Sequence, residues 1–139
     1  MKAEPASNFL RRALLANGIF SLISGIILIV AAKPLSALLG VAPPLILLAT
    51  GGCLLVYAAA LFRNALREEV CQTEAVLAVV LDVAWVVGSA AVIFSGLLSV
   101  VGNWAVAVTA DIVLLFAVLQ FYGVRKIRQK RFVEEPLRM

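Results

Sequence analysis

Read along the chain, apolar residues fall into four long runs separated by short polar or proline-marked breaks. The runs cover about 13–32, 45–62, 75–97 and 104–124. A helix that crosses a bilayer needs roughly 20 mostly apolar residues, and each run approaches or exceeds that length. The breaks are credible stops. Arg11 and Arg12 precede the first run and Lys33-Pro34 ends it. Pro43-Pro44 precedes the second, where proline suits a helix start, and Arg63 closes it. Glu74 opens the third, Gly96 and Gly102 bracket a turn, and Arg125-Lys126 end the fourth. Strands are excluded by run length, and an open sheet edge in lipid would leave backbone groups unpaired. Val30-Ala31-Ala32 resembles a signal-peptide cleavage site. The apolar core before it is longer than such a peptide uses, so the first run reads as a span.

Composition sharpens this reading. Of 139 residues, 63% are hydrophobic and only 14% are charged, against about 45–50% apolar in an average soluble domain. The pattern predicts an all-α membrane protein, an antiparallel four-transmembrane-helix bundle forming one domain over residues 1–139, with the lipid bilayer as its surroundings.

Charge gives the direction. Lys2, Arg11 and Arg12 lie at the amino end, Arg63 and Arg67 in the middle loop, and Arg125, Lys126, Arg128, Lys130, Arg131 and Arg138 in the tail. The first external loop has Lys33 alone, and the loop from Gly96 to Asn103 has no basic residue. The positive-inside rule therefore puts both termini in the cytoplasm, with 125–139 as a basic cytoplasmic tail continuing the fourth helix. The net charge of +4 is explained by these positions, so no nucleic-acid partner is expected. The run Arg125, Lys126, Arg128, Lys130 and Arg131 is placed to meet anionic lipid headgroups, or simply to set topology. Residues 33–44 read as a short interfacial helix, and Trp104 as an interfacial anchor.

Polar residues inside the runs are the most informative, because each costs free energy in lipid. At about 1.5 Å per residue from the cytoplasmic boundary, Asn17, Tyr57 and Gln120 lie about 7–9 Å in and Asp82 about 11 Å in. One residue comes from each helix, which suggests a shallow polar layer. Trp85 sits one turn from Asp82 and is a candidate to line a pocket with Tyr57. A second layer is suggested about 17–21 Å in by Ser24, Thr50, Ser89 and Asp111. Asn17, Ser21 and Ser24 share one helix face, as do Thr50, Cys53 and Tyr57, and Asp82, Trp85 and Ser89. Asp111 and Gln120 are nine residues apart and point to opposite sides of their helix. Gln120 is near enough to the surface to reach headgroups, so Asp111 is expected to face inward or a subunit contact.

Asp82 has two readings. It binds a proton or cation, or it accepts hydrogen bonds that lock helix order. Histidine is absent, which removes the commonest metal ligand and general base. No Gly-rich phosphate loop, Cys-x-x-Cys pair or nucleophile–base pair is visible. No cofactor or metal is expected, and an enzyme acting on a lipid-like substrate is the weakest reading. Cys53 and Cys71 are expected to be unpaired.

Three stretches carry a resemblance: Leu15–Gly25, Leu81–Ser89 and Leu119–Arg125. In these the chain resembles a group of small bacterial four-helix membrane proteins. The resemblance includes Asn17, Asp82 and Gln120, excludes Asp111, and implies an inner-membrane setting without bringing an activity with it. The expected function is that of an accessory subunit or homo-oligomer, alone or in a larger membrane complex, working through helix surfaces. The alternative is a small proton- or cation-linked carrier using Asp82, with or without Asp111.

Overall fold

The computed structural model describes residues 5–138. Lys2 and Met139, both part of the charge and tail assignments above, lie outside the described residues. The described chain is all helical, with five α-helices and no strand. These are α1 (Pro5–Val30), α2 (Ala32–Leu39), α3 (Leu45–Ala65), α4 (Gln72–Phe94) and α5 (Val100–Glu134), followed by a 3-10 turn at Glu135–Arg138. Four of them, α1, α3, α4 and α5, are long and apolar enough to cross a membrane. Each covers most or all of one predicted run, and α1 and α5 extend well past theirs. The fourth helix carries on through the basic segment to Glu134, so at about 1.5 Å per residue its last turns reach well past a hydrocarbon core of about 30 Å.

The loops follow from local chemistry. The segment after Lys33 forms the short helix α2, ended by Gly40 in the left-handed conformation at φ 74°. Gly40 NH bonds to Ser36 O, which closes the turn in the usual glycine manner. Gly96 also has positive φ, at 71°, where α4 has ended. Ser99 caps α5 by accepting from Gly102 NH at 2.9 Å, satisfying one of the free amides of the first turn. Ser99 also donates through Oγ to Leu38 O at 2.7 Å, and its NH donates to Leu39 O at 3.0 Å. The end of α2 is thereby tied to the start of α5.

The opposite end is tied by two side chains. Arg11 of α1 donates to Ala65 O, to Arg67 O at 2.7 Å and to Glu68 O at 3.1 Å. A cation there answers the bare carbonyls at the end of α3. Buried Asn64 brackets the α3–α4 loop, accepting from Cys71 NH at 2.8 Å and donating to Cys71 O at 3.1 Å. Arg63 and Arg67 both approach Glu74, at 3.1 and 3.4 Å; such exposed pairs contribute little, about 0–1 kcal/mol. Cys53 and Cys71 are free thiols.

Helix packing is uneven. The most extensive contacts join α1 to α3 and α4 to α5, followed by α1 to α5, while α3 and α4 meet sparingly. Leu10, Leu14, Leu61, Ala65, Ala75, Ala78 and Val124 form the buried apolar cluster. Further along, α1 and α3 cross at Gly25 and Gly51. A Cβ on Gly51 would lie 2.8 Å from Gly25 O and 2.8 Å from Ile29 Cγ1, and one on Gly25 would lie 2.9 Å from Gly51 O. Small residues are what allow such close approach between membrane helices. Gly52, by contrast, has open space where its side chain would be.

Adjacent glycines therefore predict opposite outcomes. Gly51→Ala should push the crossing apart and lower stability by about 1–3 kcal/mol. Gly52→Ala should be neutral or stabilising by about 0.5–1 kcal/mol through helix propensity. Unfolding in mixed micelles, followed by far-UV circular dichroism, measures both.

Candidate functional site

The shallow polar layer assembles around one carboxyl group. Tyr57 of α3 donates its hydroxyl to Asp82 Oδ1 at 2.8 Å. Asn17 of α1 donates Nδ2 to Asp82 Oδ2 at 2.8 Å, and Gln120 of α5 donates Nε2 to the same oxygen at 3.1 Å. Asp82 of α4 thus receives a hydrogen bond from each of the other three long helices. Asn17 Nδ2 also lies 3.3 Å from the Tyr57 hydroxyl, and Ser21 donates to Asn17 Oδ1 at 3.3 Å. Asn17 is 1% exposed, Asp82 3% and Gln120 0%. Burial of a carboxylate is tolerable only with such partners.

Every donor in this set is neutral. Asp82 makes no ion pair among the described residues, where the only pairs are those of Glu74. The donors can also reverse. The Tyr57 hydroxyl lies 3.2 Å from Ala78 O as well as 2.8 Å from Asp82. It can therefore give its hydrogen to the carboxylate, or accept one from a protonated Asp82 and give its own to Ala78 O. Gln120 Oε1 is buried with no donor among the described residues. Turning its amide over would convert Gln120 from donor to acceptor toward a protonated carboxyl. Both protonation states are satisfied without moving a helix.

A cavity of about 260 Å³ lies against this cluster, in the gap left by the sparse α3–α4 contact. Asp82, Asn17, Tyr57 and Ser21 of the cluster are among the residues that line it. Trp85 and Cys53, both exposed, stand in its α4 and α3 walls. The remainder is chiefly apolar, with Ser24 of α1 and Thr109 of α5 adding hydroxyls. Thr109 was not singled out from the sequence. Its hydroxyl donates to Ala105 O at 2.8 Å, so a mid-helix threonine was the available signal.

The second layer does not form. Asp111 is exposed on the outside of α5, and no hydrogen bond or ion pair reaches it among the described residues. Thr50 donates to Ile46 O of its own helix at 2.8 Å. Ser89 is buried and Ser24 lines the cavity, but no hydrogen bond joins these four residues. Of the two positions expected for Asp111, inward or at a subunit contact, the inward one does not hold, and Gln120 reaches the Asp82 carboxyl rather than headgroups. The half-turn relation between them holds, and the carboxyl of Asp82 draws Gln120 to the inside, which leaves Asp111 outside.

Arg125, Lys126, Arg128 and Arg131 are exposed at the end of α5 and Lys130 is partly so. Lys126 Nζ sits 5.9 Å from the centre of the Tyr122 ring. No group of three potential metal ligands occurs among the described residues. No known protein family, curated protein or solved structure matches the chain.

Removing the Tyr57 donor should cost about 1 kcal/mol, the scale of interhelical hydrogen bonds in membranes. A double-mutant cycle isolates the bond. Tyr57→Phe should destabilise the protein with Asp82 present and have markedly less effect in an Asp82→Ala background, measured by unfolding in mixed micelles.

Proposed function

We propose that this protein is a small membrane carrier that takes a proton or a small cation, such as an amine, at Asp82. One observation carries the reading: a buried acid with only neutral donors is among the residues lining a cavity between helices long and apolar enough to cross a membrane. With Asp82 ionised, the cluster holds a net negative charge in a medium that disfavours it. A proton or a cation neutralises that charge. The reversible roles of Tyr57 and Gln120 support proton uptake, since neither state leaves the carboxyl unpaired. The cavity volume of about 260 Å³ is slightly below the range of drug-sized pockets, about 300–1,000 Å³, and suits a small organic cation. Trp85 in the wall is an aromatic residue of the kind that attracts a cation.

The setting proposed is an antiparallel four-helix bundle in a bacterial inner membrane with both termini cytoplasmic. The ties of Arg11 to the end of α3 and of α2 to the start of α5 support alternating helix directions. The concentration of basic residues at the Arg11, Arg67 and Arg125 ends supports the orientation. Anionic headgroups are the proposed partners of the exposed basic residues at the end of α5.

A second reading, a non-enzymatic subunit working through its helix surfaces, is favoured by the outward position of Asp111. It is compatible with a carrier that functions as an oligomer.

Reconstitution in proteoliposomes tests the carrier. A pH gradient should drive accumulation of a small aliphatic amine above the protein-free level. Asp82→Asn, which keeps the shape and one acceptor oxygen but removes the charge, should fall to that level while retaining wild-type helicity. Equal accumulation by wild type and Asp82→Asn would exclude the proposal.

A further inference from the structure

The walls of the cavity beside Asp82 differ in a way that gives it a direction. Around the bundle, α3 packs on α1, α1 on α5 and α5 on α4, while α3 and α4 meet sparingly. The α1–α3 seam holds the Gly25–Gly51 crossing, and the Phe20 and Phe116 rings lie 5.7 Å apart across the α1–α5 seam. The lining residues follow the same division. Those from α1 and α5 are buried or half-buried, whereas the three exposed ones, Cys53, Leu81 and Trp85, come from α3 and α4. The two ends of the bundle are occupied. Leu10, Leu14, Leu61, Ala78 and Val124 lie between the Asp82 cluster and the Arg11 end, with Leu10 and Leu14 fully buried. An apolar constriction of this kind keeps water out. At the other end α2 packs against α1, α3 and α5, and Gly102 sits directly on Leu39 O.

We propose, resting on the carrier role of Asp82, that the cavity is entered sideways from lipid between α3 and α4, and that its substrate is an alkylamine whose nitrogen meets Asp82 while its tail runs out into the bilayer. Asp82 suits the nitrogen. Its Oδ2 accepts two hydrogen bonds, from Asn17 and Gln120, but Oδ1 accepts one, from Tyr57. A carboxylate oxygen has two lone pairs, so Oδ1 keeps room for an N–H of the ligand. The lining beyond the cluster is chiefly apolar and suits the tail. A charged head group moving through lipid at this depth is costly, so the amine arrives as the free base. The O–H bond of a protonated Asp82 breaks, an N–H bond forms on the amine nitrogen, and an ammonium–carboxylate pair results with no other reactant.

The test uses the full-length protein in nanodiscs of phospholipid brominated in its acyl chains, in a Trp104→Phe background that leaves Trp85 as the one tryptophan. Bromine quenches a tryptophan that touches the chains, and an occupied cavity shields Trp85. Primary n-alkylamines from butylamine to dodecylamine are titrated, and relief of quenching reads occupancy. Apparent affinity, in free aqueous amine, should rise about fourfold per methylene. The rise should continue to dodecylamine without a break, because a chain that outgrows the cavity passes into lipid. Asp82→Asn should lose the relief at every chain length, although the amines partition equally into its lipid. If that variant fails to fold, the chain-length profile of the unaltered site decides alone. An affinity that peaks at intermediate length and then falls would overturn the inference and indicate an enclosed site, leaving Asp82 as a cation-binding group. An affinity independent of length would overturn it in favour of entry from water, again leaving the carrier intact. Relief that persists in Asp82→Asn, or none from any amine, would overturn both the inference and amine binding at Asp82.

Discussion

A charged carboxyl brought to the centre of a membrane helix costs about 2.5–3.5 kcal/mol, and the inner face of this protein is arranged around one. Asp82 collects Tyr57 from α3, Asn17 from α1 and Gln120 from α5. Between helices in lipid there is no hydrophobic drive to fix which face meets which. Polar contacts and close packing must do so. The Asp82 cluster sets the inward faces, and the Gly25–Gly51 crossing lets α1 and α3 approach closely beyond it. Arg11 and Asn64 then fasten the loop end nearest the cluster.

The same cluster accounts for the unevenness of the fold. α3 and α4 meet sparingly, with Tyr57 bonded to Ala78 O and Asp82, and residues of both helices line the cavity. A polar lock whose only role was rigidity would gain by being closed over. Here one side of it faces open volume, beside an aromatic ring and several hydroxyl groups. That asymmetry is the physical basis for reading Asp82 as a binding group.

Much of the fold was legible in the sequence because the membrane reduces the problem to length, hydropathy and charge position. The prolines at 43 and 44 and the arginines at the run ends marked the helices to within a few residues at most boundaries. The shallow layer was legible too, since Asn17, Tyr57, Asp82 and Gln120 share a depth and their helices have few other polar choices at that level. The second layer failed because depth alone does not specify facing. Ser24, Thr50, Ser89 and Asp111 share a level, but Thr50 satisfies its hydroxyl on its own helix and Asp111 is turned outward once Gln120 turns inward. The cavity was not legible at all. It is lined by residues of α1, α3, α4 and α5 together, a property of packing along the whole chain rather than of any local pattern. Asn64 was overlooked for a simpler reason: beside a run of charged residues it resembles ordinary loop polarity, whereas it is buried and brackets the turn.

Proton binding at Asp82, as proposed, would take place inside an intact hydrogen-bonded cluster. Difference infrared spectroscopy of the protein in bilayers, across a pH jump, reads the carbonyl stretch of a protonated carboxyl directly. Proton uptake at Asp82 should give a band that is absent in Asp82→Asn, shifted in Tyr57→Phe and retained in Asp111→Asn. A spectrum with no such band at any pH, or a band that survives Asp82→Asn and vanishes in Asp111→Asn, would contradict it.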